Sequence, residues 1–123
     1  MPDPEIQITS DLLVITPRGT ASRAMISALV QQHYPNLGER SILWDFSGAD
    51  VSQINREDLD AIAAGARQVL SPGVSRKIGY VVSDSGAYVK ACKYFNAAVA
   101  AGLPAEYAVF TTRAAAEQWL KAQ

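Results

Sequence analysis

The sequence is poor in the side chains on which metal sites and nucleophilic active sites usually depend. It has one cysteine, Cys92, and one histidine, His33, among 123 residues. A lone cysteine cannot close an internal disulfide, and without a second soft ligand it cannot hold a structural zinc ion. A triad of serine, histidine and acid would have to use His33, which the local pattern places on the inner side of a helix. We therefore expect a non-catalytic protein with no metal and no cofactor.

An excess of charge of one sign and a long apolar run are missing as well. Lys and Arg number 11 against 12 Asp and Glu, so no broad basic face is available to neutralise nucleic-acid phosphates. No run approaches the ~20 apolar residues that span a bilayer, and the opening MPDPEIQITS lacks the basic start and apolar core of a signal. We expect no nucleic-acid partner, no transmembrane segment and a cytoplasmic location, which also suits a free thiol.

The sequence does contain an alternation of short apolar runs and amphipathic segments. Hydrophobic residues make up 49% and charged residues 19%, a composition that fits one domain over residues 1–123. The apolar runs predict strands at residues 6–9, 12–16, 41–46, 77–82 and 106–110. Helices are predicted over residues 20–34, after an Asn55 cap supported by Asp58, over 87–101, and after a cap at Thr111 or Thr112.

The resulting order is β-β-α-β-α-β-α-β-α, which predicts an α/β fold. Crossovers through helices are right-handed and join parallel strands, whereas the first two strands are close enough for a hairpin. We expect a mixed, mostly parallel five-stranded sheet flanked by four helices. Parallel strands end at one edge, where open α/β sheets usually bind ligands. The polar residues predicted to gather there are Arg18, Asp45, Ser47, Ser83, Asp84, Ser85, Thr112 and Arg113.

This carboxyl edge is the candidate ligand site, and Tyr88 on the following helix is added to it. Asp45 could act as a general base, but the sequence offers no companion acid at an interpretable spacing, and a strand-end aspartate often accepts hydrogen bonds from the next turn. The Ser83-Asp84-Ser85 stretch could hold an anion, or it could simply cap a helix. A small enzyme built on these residues therefore stays an alternative.

The third predicted helix has an apolar face and a face that carries two lysines. Tyr88, Cys92, Phe95 and Val99 share one face and are predicted to point inward, while Lys90 and Lys93 are predicted to face away. These lysines are either separate solvated side chains or, with Arg76 and Lys77, a small basic patch. The second and third helices are also rich in alanine, so they either approach the sheet closely or leave an apolar hollow.

Three stretches resemble a known family. The strand LWDFSGAD, the strand KIGYVV and the terminal VFTTRAAAEQWL are similar to the SpoIIAA-like branch of the STAS superfamily, the sulphate transporter and anti-sigma-factor antagonist domains. The resemblance covers residues 6–120. It implies a binding or regulatory module that holds an apolar small molecule or lipid, or docks on a membrane or protein partner. A homodimer is left open.

The phospho-regulated members of that family carry an Asp-Ser-Ser-Gly-like turn where the second helix begins. This chain reads VSQINR at the same place, so Ser52 is the nearest hydroxyl, and it precedes the Asn55 cap. Phosphorylation there would put negative charge beside Asp50, with Arg56 as a partial offset. A STAS regulator phosphorylated at Ser52 by a kinase, with an anti-sigma factor as its partner, is thus a second alternative.

Overall fold

A computed structural model describes residues 4–70, 76–102 and 105–122, apart from the side chains of residues 95 and 98. The five predicted strands form one mixed sheet, in which they lie side by side in chain order. Its strands are β1 (Glu5–Ile8), β2 (Leu12–Thr16), β4 (Ser41–Asp45), β6 (Lys77–Val81) and β7 (Glu106–Phe110). Only the β1–β2 pair is antiparallel, while β2, β4, β6 and β7 run parallel. The prediction of an α/β fold with a mixed five-stranded sheet is confirmed.

Four α-helices also match the prediction. They are α1 (Arg23–His33), α2 (Arg56–Val69), α3 (Ser85–Ala100) and α4 (Arg113–Lys121). Each begins after a polar cap whose side chain accepts a hydrogen bond from a free amide of the first turn, and the caps are Ser22, Asn55, Asp84 and Thr112. The Asn55 cap forms the predicted capping box with Asp58. A short 3-10 turn, Tyr34–Asn36, follows α1.

A small second sheet was not predicted. The two-residue strands β3 (Gly19–Thr20) and β5 (Ala49–Asp50) pair in parallel. Gly19 has a φ of 70°, a left-handed conformation that favours glycine and that no periodic apolar pattern announces. The pair ties the loop after β2 to the loop after β4, beside the carboxyl edge of the main sheet.

The helices divide between the two faces of the sheet. Ile42, Trp44 and Tyr80 belong to a large buried cluster that includes residues of α1, α2 and α3. Leu43 and Val81 point the other way and pack with α4. Both faces are covered, which explains why β4 and β6 read as nearly continuous apolar runs. Within the described ranges, no helix has the length and apolar character needed to cross a membrane.

The α4 helix packs closely on the sheet at Gly79. A Cβ added to Gly79 would lie 3.5 Å from the Trp119 ring, so the indole covers the backbone of β6 directly. The ring also packs against Phe110, with 5.6 Å between ring centroids. Lys77 Nζ lies 5.2 Å from the Trp119 ring centroid and donates to the Trp119 carbonyl oxygen at 2.9 Å. Strand β6 therefore contacts the Trp119 ring and is hydrogen-bonded to the carboxyl end of α4.

The inward face of α3 differs from the prediction. Tyr88 and Val99, predicted to be inside, are 40% and 59% exposed, and Cys92 is half-buried. The side chain of Phe95, predicted on the same face, lies outside the described residues. Instead Ala87 and Tyr94 are buried and Ala91 packs partly against the core. The helix therefore presents two small residues, Ala87 and Ala91, and the ring of Tyr94 to the aromatic rings of the sheet.

Candidate functional site

An apolar cavity of about 60 Å³ lies between the sheet and the three helices that cover it. Trp44, Phe46, Tyr80 and Val82 line its sheet side, where β4 and β6 end. Of the two outcomes left open for the alanine-rich helices, a hollow is present, although the alanines that line it are Ala87 and Ala91. It opens near the carboxyl edge, where open α/β sheets usually bind ligands. Its position is a consequence of topology, because β4 and β6 are adjacent parallel strands.

The walls come from one short segment of each helix. Ile26 and Val30 of α1 lie on one side and Leu59 and Ile62 of α2 on another, with α3 opposite. On α3 the wall is made by Ala87, Lys90, Ala91 and Tyr94, and Ala91 is only partly buried. A small residue at this place leaves space that a larger one would fill.

The aromatic rings of the sheet side have their polar atoms engaged. Trp44 Nε1 donates to Tyr34 Oη at 2.9 Å, and the Trp44 ring stacks on Phe46 with an interplanar angle of 4°. Tyr80 and Tyr94 meet edge to face and their hydroxyls are hydrogen-bonded to each other. Burial raises the pKa of Tyr34, Tyr80 and Tyr94 well above that of an exposed tyrosine. The hydroxyls thus stay protonated, and the surface that lines the cavity consists mainly of carbon atoms.

Lys90 is placed at the mouth of the cavity. Its Nζ donates to the carbonyl oxygens of Val51, at 2.8 Å, and Ser52, at 3.2 Å. These two carbonyls belong to the loop that leads into α2, so the lysine links α3 to that loop. Among the described residues that line the cavity, Lys90 is the one with a formal charge at neutral pH.

The structure places Asp45 on the opposite face of the sheet from the cavity. Its carboxylate is buried and accepts hydrogen bonds from the Ser47 backbone N–H, at 3.0 Å, and from the Ser47 hydroxyl, at 2.6 Å. Arg113 Nη1 lies 3.5 Å from the same carboxylate. Asp45 therefore closes the turn after β4 and connects it to the start of α4, which is the structural role weighed in the sequence analysis.

The remaining predicted site residues are dispersed. Asp84 caps α3 by accepting from the Ala87 N–H at 2.8 Å, and Ser83 and Ser85 beside it are exposed. Arg18 pairs with Glu5 at 2.7 Å on the surface. None of Arg18, Asp45, Ser47, Ser83, Asp84, Ser85 and Tyr88 lines the cavity.

Ser52 is exposed on the loop at the cavity mouth. Its backbone N–H donates to the Asp50 carboxylate at 2.9 Å. Hydrogen bonds from Ser52 are the main cause that keeps the pKa of Asp50 below its usual value. The Ser52 carbonyl oxygen, as noted, accepts from Lys90, a cation that the sequence analysis had not placed near this serine.

Sequence reasoning missed Lys90 because it chose the wrong inward face of α3. Positions 87, 90, 91 and 94 follow helical spacing, and this stripe alternates the small Ala87 and Ala91 with the larger Lys90 and Tyr94. The alternative of a basic patch that includes Arg76 is not formed, because Arg76 is buried. Its guanidinium donates to the carbonyl oxygens of Gly38, at 3.0 Å, and Arg40, at 2.8 Å.

Across the described ranges, no group of three or more His, Cys, Asp or Glu side chains is arranged to hold a metal ion. No protein-family model matches the chain, and a search of curated proteins returns no match. The chemistry of the cavity therefore has to be argued from its own residues.

Proposed function

We propose that this protein is a non-catalytic binding module of the SpoIIAA-like kind, which holds the apolar part of a small molecule between its sheet and helices α1, α2 and α3. The observation that carries the proposal is the cavity of about 60 Å³ with its aromatic sheet side. The order of elements and the sheet with its single antiparallel pair are compatible with the STAS resemblance. Fold alone does not assign the activity, so the cavity is the argument.

An empty apolar cavity costs stability. At ~24 cal/mol per Å³ for an enclosed cavity, roughly 1.4 kcal/mol is the upper limit for about 60 Å³ in this cavity, which opens to the surface. A bound apolar group would recover that energy and would also remove its own surface from water. The cavity mouth includes the half-buried Phe46, Val51 and Lys90, so a ligand can extend outward without displacing the fully buried core.

The size of the cavity limits what enters it. An engineered cavity of ~150 Å³ holds a benzene molecule, and the space here is less than half of that. A sterol or a fused ring system does not fit. The end of a straight aliphatic chain does, with the rest of the molecule lying in the mouth.

Binding of 1-hexanol tests the proposal with a probe of this shape. We expect calorimetry to detect saturable binding to the wild-type protein, and we expect Ala91→Leu, which places a larger side chain in the cavity wall, to weaken it at least tenfold. Ala100→Leu adds the same side chain at an exposed position of the same helix and should bind like the wild type. Undiminished binding by the Ala91 variant, or no binding by the wild type, would contradict the proposal.

A further inference from the structure

Lys90 is an unusual residue to find against an apolar cavity. Its side chain lines the mouth and is half-buried, while the sheet side and the walls around it are carbon-rich. The methylene groups of a lysine can cover apolar surface in this way while the ammonium group remains near water. The position brings a positive charge to the place where the outer end of a bound ligand would lie.

The immediate partners of that charge are neutral. Lys90 Nζ donates to two backbone carbonyl oxygens, those of Val51 and Ser52, and an ammonium group has three N–H donors. In the described ranges, no Asp or Glu lies within 4.0 Å of Lys90 Nζ, since the ion pairs found there all involve arginine. Asp50 feels the lysine at longer range, but its carboxylate is held by Ser52. One donor and most of the positive charge therefore remain available to a ligand.

The head group of the ligand could be a cation, a hydroxyl or a carboxylate, and Lys90 would interact differently with each. A cationic head would be repelled by Lys90 at the mouth. A hydroxyl could accept one hydrogen bond from Lys90. A carboxylate would accept a hydrogen bond in which both partners are charged, and such a bond is roughly twice as strong as one between neutral groups. The partly apolar surroundings strengthen this preference because they screen the charges less than water does.

We infer that the ligand of this cavity is a free aliphatic monocarboxylate, whose chain end occupies the space over Trp44 and Tyr80 and whose carboxylate binds Lys90. The inference rests on the proposed function, and it adds the chemical class of the ligand. The carboxylate takes the remaining Lys90 donor or replaces the longer of its two bonds, the one to the Ser52 carbonyl oxygen.

A ligand series of constant chain length tests the inference on the wild-type protein. Hexanoate, 1-hexanol and hexylamine are titrated by calorimetry at neutral pH. We expect hexanoate to bind about tenfold more tightly than 1-hexanol, and hexylamine to bind most weakly. Equal binding of hexanoate and 1-hexanol would overturn the anionic head while leaving the apolar cavity as the site. No binding by any of the three would overturn the proposed function itself.

Two lysine variants locate the effect. Lys90→Met should weaken hexanoate binding much more than 1-hexanol binding and so lose the preference for hexanoate, whereas Lys93→Met, at an exposed position of the same helix, should keep the preference. If Lys90→Met does not fold, Lys90→Gln retains a donor without the charge and should show the same loss. A preference that survives removal of the charge would overturn the role of Lys90.

A lipid in a membrane could present a similar chain and an anionic head. Sedimentation with phosphatidylglycerol vesicles, with and without saturating hexanoate, distinguishes the two sources. We expect no cosedimentation in either case. Cosedimentation of a protein that shows no preference for free hexanoate would overturn the assignment of a free acid.

Discussion

The protein is expected to unfold cooperatively at alkaline pH, above about pH 10. Four of its five tyrosines are buried, namely Tyr34, Tyr80, Tyr94 and Tyr107. Burial is the largest cause that raises the pKa of each of them. The folded protein therefore keeps protons that the unfolded chain releases.

The direction of the pH dependence follows from that difference. A group whose pKa is higher in the folded state contributes its full stability below the unfolded value, here ~10, and this stability is lost as the pH rises further. In that range each such tyrosine lowers the free energy of unfolding by about 1.4 kcal/mol per pH unit, so four lower it by about 5 kcal/mol per unit. A domain stabilised by roughly 5 to 15 kcal/mol should reach its midpoint within about one to three pH units above 10.

Far-ultraviolet circular dichroism and tyrosinate absorbance, recorded along one pH titration, check this prediction. Both signals should change together, and Tyr94→Phe should reduce the steepness by about a quarter. Tyr88→Phe removes the hydroxyl of the exposed tyrosine and is expected to leave the transition unchanged. Gradual ionisation of all five tyrosines with the secondary structure intact would mean that the ring cluster is not buried as described.

Trp44→Ala is expected to lower the free energy of unfolding by about 3 to 5 kcal/mol. The indole is 2% exposed, stacks on Phe46 and meets Tyr34 edge to face, with 6.4 Å between ring centroids. Its removal takes away those contacts, leaves the Tyr34 hydroxyl without its indole donor and enlarges the existing cavity. A loss of this size is a large part of the stability of an ordinary domain.

Trp119→Ala supplies the comparison, measured by the same urea denaturation. Trp119 is only half-buried and covers Gly79 from the other face of the sheet, so we expect roughly half the loss caused by Trp44→Ala. A larger loss for Trp119 than for Trp44 would show that the α4 face, rather than the cavity face, dominates the stability.

Much of the fold could be predicted because its strands are buried on both faces. The runs around Leu43 and Tyr80 are apolar almost throughout, and the Asn55 capping box marks the start of α2 unambiguously. The β3–β5 pair could not be predicted, since two-residue strands carry no periodic signal. The face of α3 was predicted wrongly because large residues were assumed to point inward. In the structure the buried residues of α3 are the small Ala87 together with Tyr94, and Tyr88 remains outside.

The site was harder to predict than the fold. Polar residues at the carboxyl edge drew attention to Asp45 and Ser47, which in the structure complete a turn on the other face. The cavity is lined by residues that are ordinary core formers when read singly, such as Ile62 and Val82. Only the three-dimensional arrangement leaves a gap between them. Lys90 becomes a candidate binding residue only because it lines this gap, since a lysine in a helix, read from the sequence alone, indicates a solvated surface.

The most direct test of the cavity as the binding site is to record intermolecular nuclear Overhauser effects between the terminal methyl group of 1-hexanol and the protein. Contacts to side-chain protons of Trp44, Ile62 and Ala87 are expected, because these three come from the sheet, α2 and α3 around the same cavity. Contacts confined to the surroundings of Asp45 and Arg113, or the absence of any protein contact at saturating alcohol, would contradict the assignment of the cavity as the binding site.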